Sequence, residues 1–150
     1  MLNTKNLLAV SALLALAACG KTKSVHKSAD ATQMEQSFTS ALQDKVYFAF
    51  DKASLSHDAK STLDTQVEWI KTNSSSAEIL VEGHCDARGP REYNIALGEK
   101  RAFAAKSYLV DKGIPAHLVS TVSFGKEKPA VEGNDEAAYQ ANRRAVTVIK

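Results

Sequence analysis

The residues best suited to binding chemistry lie between Gly83 and Arg101, in a segment that reads GHCDARGPREYNIALGEKR. Asp86 belongs to a loop that contains glycine and proline. Asn94, Leu97 and Arg101 follow at helical spacing, so one helix face carries all three. A short apolar run precedes the loop, which puts it between a strand end and a helix N-terminus, where backbone N–H groups favour anions. An acid and an arginine directed into one concavity suit a ligand that carries both an ammonium and a carboxylate.

The segments around this loop predict an α/β domain. Apolar runs bounded by turn residues favour four strands, and apolar residues at helical spacing favour three helices between them. The order β-α-β-α-β-α-β, with short connections, predicts an α/β sandwich in which helices pack on one mixed sheet of about four strands. The predicted strands cover about 46–50, 78–83, 118–125 and 146–148, and the predicted helices about 56–72, 92–112 and 134–139.

Capping residues mark the ends of these helices. Ser54 and Ser56 are candidate N-caps for the first helix, and Asn134 is the candidate for the last. The central helix is predicted to end at Gly113, since glycine readily terminates a helix.

The first 18 residues predict a targeting segment. Lys5 supplies a basic start, and an apolar run from Leu7 to Ala18 follows, too short to span a bilayer but typical of a signal peptide. The run ends in Leu-Ala-Ala directly before Cys19, which resembles the bacterial lipoprotein signal, in which the cysteine is acylated. Gly20, rather than an acidic residue, follows the cysteine, which resembles the signal for sorting to the outer membrane. An ordinary secretory cleavage site beside a chance cysteine is the alternative.

Residues 19–43 are polar and rich in Lys, Ser, Thr and Gln, which predicts a lipidated N-terminus followed by a flexible tether. The folded domain is predicted over 44–150. If Cys19 is lipidated, Cys85 has no partner for an intramolecular disulfide.

Composition narrows the class of function. The 150 residues carry a formal net charge of +2 and show no basic stripe with interleaved aromatics, which argues against nucleic-acid binding. With 44% hydrophobic and 24% charged residues, the chain can build an ordinary globular core.

A catalytic interpretation starts from His84, Cys85 and Asp86, the residue types of a cysteine hydrolase. On a continuing strand, however, Cys85 points away from the face that the other two share. Adjacent residues rarely orient a nucleophile and its base within hydrogen-bond reach. His84 is predicted instead to support the loop, and no catalytic residue is assigned.

Metal binding has no support from spacing. Cys85 stands alone, and no ligand motif connects the four histidines His26, His57, His84 and His117. No metal or cofactor is therefore predicted.

Five residues near the candidate site or on a helix surface are assigned structural roles. Arg143 and Arg144 are too few for an anionic-lipid or nucleic-acid patch, so we expect Asn142 and one arginine to brace the binding loop. Tyr139 is interpreted as a core residue, and Trp69 as a partly buried one.

Several motifs in register resemble the OmpA-like family of peptidoglycan-binding domains. They comprise GHCD, the following Gly-Pro turn, Asn-x-x-Leu and Arg-Ala, then SFGKEKP and NRRAV downstream. The resemblance covers about Val46 to Ile149 and implies the family's βαβαβ-type sandwich. With the leader and the tether included, the chain most resembles the lipoproteins of that family.

The resemblance implies non-covalent binding to the diaminopimelate of the peptidoglycan peptide stem. The family's acid–arginine pair corresponds to Asp86 and Arg101, which suits a zwitterion: an arginine can bind the carboxylate, and an acid can accept from the ammonium. Cys85 departs from the Ala, Thr or Ser expected there. Supporting positions correspond to Phe50, Asp51, Asn94 and Leu97.

The same resemblance implies partners and a location. It implies a lipid-anchored protein of the outer membrane with its domain facing the periplasm, in contact with a TolB-like propeller protein of the Tol-Pal system and with OmpA-type porins. Roles in envelope integrity and cell division would follow. The alternatives are a wall-binding lipoprotein outside the Tol system and, from a different class, a peptidoglycan hydrolase.

Overall fold

The computed structural model describes the backbone from Val25 to Lys150 and side chains from Asp30 onward, so the predicted signal peptide and Cys19 lie outside the described residues. The predicted order is confirmed, with one helix added ahead of it and a short 3₁₀ turn before the third strand. The helices are α1 (Val25–Ala41), α2 (His57–Asn73), α3 (Arg91–Asp111) and α4 (Glu136–Asn142), and the strands are β1 (Lys45–Tyr47), β2 (Ile79–His84), β3 (Val119–Gly125) and β4 (Arg144–Ile149).

The four strands form one mixed sheet in the order β1-β4-β2-β3, which confirms the predicted architecture. β2 and β3 run parallel, whereas β4 runs antiparallel to both of its neighbours, β1 and β2. Helix α3 provides the crossover between the parallel strands, as such a connection requires. The loop between β2 and α3 therefore leaves the sheet at the carboxyl end of β2.

The core lies between the sheet and the helices. Buried residues alternate along β2, where Ile79 and Val81 are inward-facing, and recur at helical spacing along α2. Ser56 caps α2 as expected, because its Oγ accepts from the amide of Ala59 at 3.1 Å. The α2 residues in this core are Ala59, Leu63, Val67 and Ile70.

Two glycines bring α3 against the end of β2. A Cβ atom on Gly83 would lie 1.8 Å from the carbonyl oxygen of Gly98, so neither backbone leaves room for a side chain there. This close approach fixes the helix face that carries Arg101 beside the strand end that leads to Asp86.

The N-cap of α4 differs from the prediction. Asp135, not Asn134, is the capping residue, and its Oδ1 accepts from the amide of Ala138 at 2.8 Å. The helix begins at Glu136, so the side chain of Asp135 is the one placed to reach that amide.

The flexible tether predicted for residues 19–43 is wrong over 25–41, because these residues form α1. Phe38 is 0% exposed, and its ring meets that of Trp69 edge-to-face at 5.1 Å. Met34 packs beside it, and its Sδ accepts from Ser74 Oγ at 3.6 Å. One buried aromatic thus docks a helix whose sequence is otherwise mostly polar. Trp69 is partly buried, as predicted.

None of the helices in the described range is long and apolar enough to cross a membrane.

Candidate functional site

A cavity of about 330 Å³ opens at the carboxyl end of β2. The turn after β1, the β2–α3 loop and the first turns of α3 form its walls. All six binding residues predicted from the sequence line it, namely Phe50, Asp51, Asp86, Asn94, Leu97 and Arg101. It is also lined by Cys85, Arg88, Gly89, Pro90 and Tyr93.

Arg101 forms the floor of the cavity and is only 1% exposed. Its guanidinium donates to three backbone carbonyls, from Nε to Lys52 at 2.8 Å, from one Nη to His84 at 2.8 Å and from the other to Ala49 at 3.3 Å. Burial lowers the pKa of Arg101, though an arginine stays charged. Arg101, which is predicted to bind the ligand, therefore also holds the backbone in place. Only the N–H groups that these three bonds leave free can donate to a ligand.

Asp86 is 5% exposed and bonds to Arg88, not to Arg101. Its carboxylate accepts from the Arg88 amide at 3.1 Å and from the guanidinium at 3.2 and 2.6 Å, with Arg143 3.6 Å away. Burial acts to raise the pKa of Asp86, but these bonds and the two cations outweigh it, so the pKa is lowered. Within the described residues no hydrogen bond or ion pair joins Asp86 to Arg101, so the two charges face one cavity separately.

Arg88 is a site residue that the sequence interpretation missed. Its guanidinium lies over the rings of Phe50 at 4.1 Å and Tyr139 at 4.2 Å while it binds Asp86. It thereby joins the turn after β1, the β2–α3 loop and α4. The Asp-x-Arg spacing within a turn was the available signal. Tyr139, predicted as a core residue, is half-buried against Arg88 instead.

The rim of the cavity is aromatic and exposed. Phe50 is 58% exposed, and Tyr93 is similarly open to solvent. The Tyr93 hydroxyl donates to the carboxylate of Asp51, which raises the pKa of Tyr93. Asp51 has a φ of 57°, a left-handed conformation that aspartate tolerates better than most residues. An apolar rim beside a carboxylate suits a ligand with an aliphatic chain and a charged end.

Asn94 and Leu97 contribute in different ways. The buried Asn94 side chain donates from Nδ2 to the carbonyls of Arg88 at 2.7 Å and Pro90 at 3.0 Å, so it positions the loop from the first turn of α3. Leu97 is partly buried and adds an apolar wall one turn further along the helix.

His84, Cys85 and Asp86 do not form a catalytic relay. Cys85 donates from Sγ to the carbonyl of Asn94 at 3.2 Å, and burial raises its pKa to about 11, so its thiolate is disfavoured. His84 stacks on Phe124 at 5.5 Å, and burial lowers its pKa to about 4. The Asp86 carboxylate is engaged by Arg88.

The described residues contain no group of three or more His, Cys, Asp and Glu side chains that could hold a metal ion.

The bracing role expected for Asn142 and one arginine is present for Arg143, which lies 3.6 Å from Asp86 in the binding loop, but the side chain of Asn142 bonds to a different loop. Arg143 donates from Nε to the carbonyl of Phe48 at 3.0 Å and from Nη1 to Glu136 at 2.9 Å. Asn142 holds the loop before α4, because its Oδ1 accepts from the amides of Ala130 at 2.7 Å and Val131 at 3.1 Å. These contacts fix α4 and its Tyr139 beside the cavity.

Comparison with known proteins gives consistent matches. A model described as the OmpA family matches residues 47–143, a range that includes every residue lining the cavity. The peptidoglycan-associated lipoprotein of Pasteurella multocida is 46% identical over 147 residues, which cover 95% of each chain. That of Rhizobium meliloti is 39% identical over 152 residues, which cover 95% of this chain and 86% of the relative.

Solved structures support the same relationship. The crystal structure of the peptidoglycan-associated lipoprotein from Burkholderia pseudomallei aligns with a TM-score of 0.68 and 39% sequence identity. The alignment covers 72% of this chain and 91% of that one.

Proposed function

This chain belongs to the OmpA family, and from that premise we propose that it binds peptidoglycan non-covalently, with the cavity at the end of β2 as the binding site. The observation that carries the proposal is that negatively charged carboxylates and positively charged guanidinium groups surround one cavity of about 330 Å³. The function is binding without turnover, since the residues that could suggest hydrolysis form no relay.

The proposed ligand group is the free amino-acid centre of diaminopimelate in the peptide stem. This centre carries an ammonium and a carboxylate on one carbon. Asp86 and Asp51 supply acceptors for the ammonium, while Arg101 supplies N–H donors for the carboxylate. Phe50 and Leu97 flank the aliphatic chain. Each charge-assisted bond contributes roughly 1.5–3 kcal/mol net when it is shielded from water.

The proposed anchor is lipid attached to Cys19, which would hold the protein in the outer membrane with its domain facing the periplasm. Support comes from the Leu-Ala-Ala-Cys leader and from relatives that are named lipoproteins. Lipid at one end and the cell wall at the other make the attachment bivalent, so modest affinity at each site suffices. Palmitate labelling that persisted in Cys19→Ser would contradict this anchor.

The proposed partners follow from the sequence resemblance. They are a TolB-like periplasmic propeller protein and OmpA-type porins, and they would place this chain in the Tol-Pal system with roles in envelope integrity and cell division. Failure of the purified chain to bind the TolB-like protein would leave the alternative, a wall-binding lipoprotein outside that system.

Sedimentation with purified sacculi tests the binding site. We expect Asp86→Asn to weaken co-sedimentation at least about tenfold, because the amide keeps the shape of the carboxylate but loses its charge. Asp64→Asn is the matched control, since Asp64 is an ion-paired carboxylate on α2 that does not line the cavity. Undiminished binding by Asp86→Asn would place the site elsewhere.

The same assay separates ligand chemistry and reaction class. A tripeptide ending in meso-diaminopimelate should compete with sacculi better than one ending in lysine, which lacks the second carboxylate. Equal competition by the two tripeptides would contradict recognition of the ammonium and carboxylate on one carbon. Release of soluble muropeptides would show turnover and favour a hydrolase.

A further inference from the structure

Four consecutive carbonyls in the loop that carries the charges of the site, from Ala87 to Pro90, each accept from a side chain. Asn94 Nδ2 holds those of Arg88 and Pro90 from α3. Lys126 Nζ holds the other two, at 2.7 Å from the Gly89 oxygen and 3.5 Å from the Ala87 oxygen. The loop is thus fastened from two sides, by α3 and by the turn after β3.

Lys126 is itself held in place relative to the loop. Gly125 has a φ of 51°, which turns the chain at the end of β3, and its carbonyl accepts from the Cys85 amide at 2.8 Å. A bond of 2.9 Å from the Glu127 amide to the Phe124 carbonyl closes the turn. The base of the lysine side chain is therefore fixed to the strand that leads into the loop.

The middle of the loop needs this support. Gly89 has a φ of 85°, and glycine populates many backbone conformations in the absence of other contacts. Rotation of the peptides on either side of Gly89 would carry Arg88 away from Asp86 and from the ring of Phe50. Lys126 places a charged donor 2.7 Å from the Gly89 oxygen, which restrains the peptide between Gly89 and Pro90.

We propose that Lys126 is a positioning residue for ligand binding, which fixes the loop so that Asp86 and Arg88 present their charges to the cavity. The proposal rests on the proposed function of the cavity. Lys126 does not line that cavity, so its effect is transmitted through the carbonyls of Ala87 and Gly89.

Lys128 provides a matched control. It lies two residues further along the same turn and carries the same charge, but its ammonium sits over the Phe124 ring at 3.7 Å and not on the loop. Replacing either lysine by methionine removes one positive charge and keeps the length of the side chain. A general electrostatic effect would therefore appear in both variants.

Sacculus binding by the full chain tests the proposal. We expect Lys126→Met to weaken binding about five- to tenfold, Lys128→Met to change it less than about twofold, and Lys126→Arg, which keeps charged donors, to restore most of it. Amide hydrogen exchange at Arg88, whose N–H donates to Asp86, should accelerate in Lys126→Met, with the thermal midpoint nearly unchanged.

Equal binding losses in Lys126→Met and Lys128→Met would overturn the positioning role, as would unchanged binding in Lys126→Met. Faster exchange across the whole domain would show a merely structural role and would overturn it as well. Failure of the proposed function is distinguishable, because Asp86→Asn would then also bind sacculi normally.

Discussion

Arg101 and Arg88 line the same cavity but are built into the protein in opposite ways. Arg101 is 1% exposed and uses its guanidinium to hold three backbone carbonyls from two separate segments. Arg88 keeps 36% of its side chain exposed and bonds to a carboxylate while its guanidinium lies over two aromatic rings. The floor of the site is thus part of the fold, whereas Arg88 belongs to the more exposed rim of charged and aromatic side chains.

This difference separates two consequences of mutation that are easily confused. Loss of a floor residue leaves buried carbonyls without donors and lowers the stability of the whole domain. Loss of a rim residue exposes groups that water can reach, so ligand affinity should change more than stability. A binding defect is informative about the ligand only when the free energy of unfolding is measured beside it.

The largest effect is expected for Arg101→Ala. The carbonyls of Ala49, Lys52 and His84 would lose their donor, so the free energy of unfolding should fall by about 3 kcal/mol or more. Urea unfolding measures this change. Arg91→Ala is the control, because Arg91 lies on the same helix with its side chain 64% exposed. Equal unfolding midpoints for the two variants would mean that the floor is not structural.

The second-largest effect is expected from acid, which should lower the free energy of unfolding through the buried His84. His84, whose carbonyl accepts from Arg101, has a pKa of about 4 in the folded protein against 6.5 ordinarily, mainly because burial disfavours its charged form. The unfolded chain therefore binds the proton more readily, and stability is full above pH 6.5 and falls as the pH drops toward 4. The loss amounts to about 3 kcal/mol at most.

Urea unfolding at pH 7, 5.5 and 4.5 tests this window. His84→Phe should remove most of the pH dependence while it keeps the stacking on Phe124, and exposed His57→Gln should keep the dependence. A similar slope in His84→Phe would assign the acid sensitivity to other groups. Asp86 affects stability at lower pH than His84 does. Because its pKa is lowered in the folded protein, its contribution to the free energy of unfolding is lost only below pH 3.8.

The smallest effect on stability is expected for Arg88→Ala. Asp86 keeps Arg143 at 3.6 Å as a second cation, so the free energy of unfolding should fall by only about 1–2 kcal/mol. Sacculus binding should weaken about tenfold, because the carboxylate of Asp86 and the ring of Phe50 lose the group that orients them. A stability loss as large as that of Arg101→Ala would erase the distinction between rim and floor.

Much of this site was predictable from the sequence. Strand and helix periodicity predicted the sheet, and the spacing of Asn94, Leu97 and Arg101 placed them on one helix face beside Asp86. Periodicity gives the direction of a side chain but not its depth. The burial of Arg101 and its bonds to the carbonyls of the turn after β1 depend on long-range packing that spacing does not encode.

Two other features escaped prediction for different reasons. Arg88 was missed because a loop has no periodicity to indicate where its side chains point, and its partners come from three separate segments. Helix α1 was missed because Phe38 is its one fully buried residue among those described, and a single aromatic produces no helical pattern. In both cases tertiary contacts decide the structure.

The docking of α1 changes how far the domain can stand from its proposed lipid anchor. Fully extended, residues 19–44 would reach about 85 Å. Folded as a helix, the 17 residues of α1 span only about 25 Å, and the residues between Cys19 and Val25 add at most about 20 Å. Phe38, by holding α1 against Trp69, thus shortens the reach between the folded domain and the proposed anchor at Cys19.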